Sequence, residues 1–134
     1  MILFVDDEPR ELDSHRLELE MSGYGVVFES DVDNALQFIE ENRDNIELLI
    51  LDIMMPVGKA FENARHEGMR TGIDFYERIR KTFANLPVII FTNVTDELVM
   101  GKFSEENEAN CWFLRKADFL PYELAEKVDS ILKK

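Results

Sequence analysis

The chain has 134 residues, 46% hydrophobic and 32% charged, a balance that fits one globular domain with a real core and excludes a disordered segment. Its formal net charge of −13 excludes the dense cationic surface that a nucleic-acid backbone requires, and favours basic partner patches or metal cations. The first apolar run is broken by Asp6, Asp7 and Glu8, and the longest, Ile46–Pro56, is too short to span a bilayer. A soluble, cytoplasmic protein is therefore expected, and the single Cys111, in an apolar run, reads as a buried structural thiol in a reducing compartment.

In chain order, Ile2–Val5 forms the first of five short apolar runs, rich in Val, Ile, Leu and Phe with little alternation, as in strands covered on both faces. Pro9 suits the first turn of a helix running to about Ser22, with Gly23 and Gly25 around its exit. Asp6 or Asp7 is a candidate N-cap for it. The second run is Gly25–Phe28, followed by Val32, Leu36 and Ile39 at helical spacing. Leu48–Leu51 is the third run. Ile73, Tyr76, Ile79 and Phe83 mark the next helix, and Pro87–Phe91 the fourth strand. Thr95 or Asp96 is a candidate cap for a fourth helix, which Gly101 weakens by about 1 kcal/mol relative to Ala. Cys111–Leu114 is the fifth run, and Leu124, Val128 and Ile131 give the last helix its stripe.

This alternation predicts an α/β fold, (βα)5, with a doubly wound parallel five-stranded sheet and right-handed crossovers. In such folds the site lies beyond the carboxyl ends of the strands. There the sequence places Asp6-Asp7-Glu8, Asp52, Thr92 and Arg115-Lys116. Two or three carboxylates, a hydroxyl and an ammonium on one edge repel unless a cation joins them, and Mg²⁺ suits such oxygen donors with a phosphate oxygen. A carboxylate can itself be the nucleophile there, forming an acyl phosphate.

The stretches F-V-D-D-E-P, L-I-L-D-I-M-M-P, V-I-I-F-T-N and F-L-R-K resemble, in kind, order and approximate spacing, the four signature blocks of response-regulator receiver domains. The resemblance spans residues 1–134 as one domain with flavodoxin-like receiver topology. It implies that Asp52 accepts a phosphoryl group from a histidine kinase or phosphotransfer protein, or from a small phosphodonor. Asp6, Asp7, Asp52 and the backbone carbonyl of Met54 are the implied Mg²⁺ site, Asp6 acting largely through metal-bound water. Lys116 and Thr92 are implied to hold phosphoryl oxygens, and Thr92 and Phe113 to form the switch. The implied output is a face made by the fourth helix, fifth strand and last helix, which binds a downstream protein partner; neither DNA nor membrane is contacted directly, and no output domain is read after Lys134.

Two features depart from that pattern. Ala117 follows Lys116 where the family usually has proline, and a cis bond to a non-proline residue costs about 2.5–4 kcal/mol, so this loop is either trans or strained. An insertion over about 57–69, carrying Lys59, Arg65 and His66, with Arg70 just beyond it, delays Gly72, the glycine expected to open the third helix. It reads as a lid over Asp52 or as a solvated excursion with a short helix from Phe61 to Glu67. His66 reads as a solvated loop residue rather than a phosphoryl carrier, and Asn93 occupies a place that is often small in the family. Two other function classes compete: a phosphorylation-independent pseudo-receiver adaptor, and an aspartyl-nucleophile phosphatase, which usually needs a second acid where Met54 stands. A flavodoxin-like cofactor carrier is weaker, because no Ser/Thr/Gly-rich phosphate loop follows the first strand. The reading is therefore a signalling domain rather than an enzyme.

Overall fold

The computed structural model describes residues 1–53, 68–93 and 110–133. The expected fourth helix, the carbonyl of Met54 and most of the 57–69 insertion, with His66, lie outside them.

The strands are β1 (Ile2–Val5), β2 (Val26–Glu29), β3 (Leu48–Leu51), β4 (Val88–Thr92) and β5 (Cys111–Arg115), all parallel, in the order β2-β1-β3-β4-β5. This is a doubly wound sheet whose order reverses between β1 and β3, and a crevice opens at such a reversal. The helices are α1 (Asp13–Met21), α2 (Val32–Glu41), α3 (Gly68–Thr82) and a C-terminal helix (Pro121–Leu132).

Near-continuous apolar strands follow from burial on both faces. On one face Leu3, Val5, Leu49, Leu51, Val88 and Ile90 pack against Val32, Ala35 and Ile39 of α2 and Ile73, Tyr76 and Ile79 of α3. On the other, Ile2, Phe4, Leu48, Ile50, Ile89 and Phe91 meet Leu12, Leu19 of α1 and Leu124, Ala125 and Val128 of the C-terminal helix. Trp112 is half-buried against this second layer. Cys111, expected to be buried, is half-buried and packed beside the first.

Several element bounds differ from the sequence reading, each for a local reason. Strand β4 begins at Val88, after Pro87, which has no N–H to give the ladder, and ends at Thr92, paired in register with Arg115. Strand β2 runs one residue further, because Glu29 is in register with Val5. The expected Pro9–Ser22 helix is a 3₁₀ turn, Pro9–Leu12, leading into α1. Ser22 ends it as C-cap, and Gly23 at φ +100° takes the left-handed conformation that follows. Neither Asp6 nor Asp7 is its N-cap residue. Glu8 holds that position, and its N–H donates instead to Asp6 Oδ1 at 2.9 Å. In α2 the cap is Asp31, which accepts from the Asn34 N–H at 2.8 Å.

Gly72 does not open α3; the helix starts at Gly68, so the glycine lies one turn inside. Its role is clearance, since a Cβ at Gly72 would overlap the backbone of Ile53, the residue after Asp52. Helix α3 is thereby drawn against the end of β3. Pro121 opens the C-terminal helix, where the Glu123 carboxylate accepts the Leu120 N–H at 3.0 Å. Tyr24, just after α1, fastens this helix by donating to Asp129 Oδ1 at 2.6 Å.

Candidate functional site

Register decides what meets at the carboxyl edge. Val5 pairs with Leu51 and the Asp52 N–H donates to the Val5 carbonyl at 2.9 Å, so Asp6 and Asp52 leave adjacent strands side by side. Thr92 ends β4 beside them, and Lys116 follows its partner Arg115 at the end of β5. Four separate stretches of chain thus supply one cluster.

Asp6 is 1% exposed, Asp52 7% and Thr92 0%, the polar residues buried among the described core. Such burial requires compensation. The Thr92 hydroxyl donates to Asp52 Oδ1 at 2.8 Å. The Lys116 ammonium donates to Asp52 Oδ2 at 2.9 Å and to Asp6 Oδ2 at 2.7 Å. Both carboxylate oxygens of Asp52 are therefore occupied, and one ammonium bridges two acids. Lys116 heads a short 3₁₀ turn, Lys116–Asp118, and among the described residues no peptide bond is cis. The Lys116–Ala117 bond is thus trans, and the side chain still reaches both carboxylates.

Burial pushes the Asp6 carboxyl above its usual range, against the pull of Lys116 and the Glu8 N–H. For Lys116, burial alone would lower the ammonium, but the hydrogen bonds and charges of Asp6 and Asp52 together outweigh it and hold it above its usual range.

Asp7 is exposed, and one oxygen each of Asp6, Asp7 and Asp52 lie within 4.8 Å of one another. Three hard oxygen donors, one facing water, fit a divalent cation that keeps part of its water shell, as Mg²⁺ does. A cation there would compete with Lys116 for Asp6 and Asp52.

The structure therefore gathers Asp6, Asp7, Asp52, Thr92 and Lys116. Phe113 stands apart. It is half-buried beside the α2–α3 layer, in register with Ile90, two residues before Thr92. The sequence reading passed over His15. Leu12, His15 and Leu19 recur at three and four residues on the inward face, so a polar residue at a core-facing position was the available signal. His15 lies behind the site: its Nε2 is 3.1 Å from the Phe119 carbonyl, and its ring meets Phe91 edge-on at 5.5 Å.

Comparison with known proteins bears on family and fold. Residues 2–116 match the family model described as response regulator receiver domain. The transcriptional regulatory protein CpxR of Escherichia coli K12 is 39% identical over 98 residues, 72% of this chain and 35% of that protein. The putative two-component response regulator ARR21 of Arabidopsis thaliana is 31% identical over 110 residues, 82% of this chain and 15% of that protein. The chain thus spans about a third or less of the curated relatives it matches. A crystal structure of a CheY-like receiver domain protein from Methanospirillum hungatei superposes with a TM-score of 0.74 at 26% identity, covering 98% of this chain and 92% of that one. Among the described residues, no helix is long and apolar enough to cross a membrane.

Proposed function

The chain belongs to the response regulator receiver family, and we propose from that premise that it is a phosphorylatable receiver in which Asp52 accepts the phosphoryl group. One observation carries this reading: Asp52 is a buried carboxylate at a strand end, with a hydroxyl on one oxygen and an ammonium on the other, beside two further acids. We read residues 1–134 as a single receiver unit with the 57–69 stretch as an addition to it.

The donor is a phosphohistidine of a histidine kinase or phosphotransfer protein, or a small acyl phosphate. An Asp52 oxygen attacks phosphorus in line, the O–P bond forms, the P–N bond of phosphohistidine breaks, and the leaving imidazole takes up a proton. Asp6, Asp7 and Asp52, with the Met54 carbonyl, would hold Mg²⁺, which when bound would neutralise charge on the phosphoryl oxygens. Lys116 exchanges its carboxylate partners for a phosphoryl oxygen, and Thr92 does likewise with its hydroxyl. Those two exchanges make phosphorylation a structural event, since Thr92 ends β4 and Lys116 directly follows β5. Thr92 with Phe113 would pass the change to a face that binds a downstream protein partner.

Intact mass spectrometry after incubation with acetyl phosphate tests this, with Mg²⁺, with chelator, and on Asp52→Asn. One phosphoryl adduct that needs Mg²⁺ and is lost in Asp52→Asn is expected. No adduct together with no Mg²⁺ binding would replace the reading with a phosphorylation-independent adaptor.

A further inference from the structure

We infer that His15 is a positioning residue for the phosphoryl-transfer site, holding the turn that presents Lys116. This rests on the function proposed above. A carbonyl oxygen only accepts, so the 3.1 Å contact to Phe119 fixes the proton on His15 Nε2. The Phe119 N–H in turn donates to the Lys116 carbonyl at 3.3 Å, closing the 3₁₀ turn. One relay therefore runs from α1, through Phe119, to the residue whose ammonium bridges Asp6 and Asp52.

The same ring packs edge-on against Phe91, the residue before Thr92. His15 thus touches the stretches that carry Thr92 and Lys116, two side chains that donate to Asp52. It stands on the helix that follows the Asp6–Asp7 loop, through the Pro9–Leu12 turn. Its other nitrogen, Nδ1, is buried with no hydrogen-bond partner among the described residues, a cost that a residue kept only for packing would avoid. The site need explains the choice: the Lys116–Ala117 bond is trans, and no ring constrains the backbone after Lys116. The turn is then held from outside, by a donor on the neighbouring helix.

Two variants separate positioning from packing. In His15→Leu the apolar contact with Phe91 is kept and the donor is lost. In His15→Gln an N–H donor of similar reach returns. With acetyl phosphate and saturating Mg²⁺, adduct formation on Asp52 is expected to fall about tenfold in His15→Leu, the scale of one lost hydrogen bond expressed in the transition state, and to recover in His15→Gln. Amide hydrogen exchange should quicken at Phe119 in His15→Leu while the β1 amides stay protected. Unchanged phosphorylation in His15→Leu would overturn the inference. So would equal losses in both variants, or exchange that quickens in β1 as much as at Phe119. If the unmodified protein takes up no phosphoryl group, the proposed function fails, and the exchange pattern alone decides whether His15 holds the turn.

Discussion

Each end of the sheet has its own bridging cation, and the two cations hold different kinds of oxygen. At the amino ends of β4 and β5, Arg80 of α3 donates to the carbonyls of Phe83, Ala84, Leu86 and Asn110, at 2.8 to 3.3 Å, with its guanidinium over the Tyr76 ring. At the carboxyl ends, Lys116 holds the carboxylates of Asp6 and Asp52. Backbone carbonyls have no charge to trade, and a planar fork serves four of them at once. Carboxylates will accept any cation, and an ammonium on a flexible stem can leave. The first end is built to stay as it is, the second to exchange partners.

The largest expected effect breaks the second end. Lys116→Ala should slow phosphorylation by acetyl phosphate by about 10²–10³-fold, the scale of losing a preorganised donor at the transferring group. It also leaves two buried acids facing each other, so its melting temperature should drop without divalent cation and recover in millimolar Mg²⁺. A drop that Mg²⁺ leaves untouched would mean that the two cations are not interchangeable.

Breaking the first end should do the reverse. Arg80→Ala should cost about 2–4 kcal/mol in urea unfolding, because several carbonyls lose a charged donor, and Mg²⁺ should restore none of it. The folded fraction should still phosphorylate at the normal rate. A rate loss would show that the β5 anchor at Asn110 is felt at Lys116.

A smaller effect sharpens the comparison through pH. Asp6 is held above its ordinary value of 3.8, chiefly by burial, so its folded form binds a proton more tightly than its unfolded form. Its contribution is fully present below 3.8 and is lost as pH rises through the folded value. Without divalent cation, Asp6→Asn should therefore melt higher than the wild type at neutral pH, with the gap closing as pH falls towards 4. A gap that does not change with pH would place the strain elsewhere. Lys116, also raised, keeps its contribution below 10.5 and loses it only as pH rises through its higher folded value, outside this window.

The carboxyl end was the more legible in the sequence, for a physical reason. Once strands covered on both faces are recognised, any polar residue directly after one must sit on the edge, which located Asp6, Asp52, Thr92 and Lys116. The amino end offered no such sign. Arg80 reads as one more charge on a helix, and its carbonyl partners carry no side-chain signature. The turn at Pro9–Leu12 was hidden because one turn of 3₁₀ and one of α place apolar residues almost alike. Gly72 was read as a helix opener, since nothing local reveals that Ile53 lies against it.

The only tryptophan in the chain, Trp112, is half-buried on β5 and packed against the layer that contains Leu124 and Val128. Any optical signal excited selectively through indole therefore originates on this one edge strand, four residues before Lys116. It belongs to the layer of α1 and the C-terminal helix, not to the layer that holds Phe113. Fluorescence thus offers an unlabelled gauge of how the last helix seats on β5, blind by position to events confined to α2 and α3.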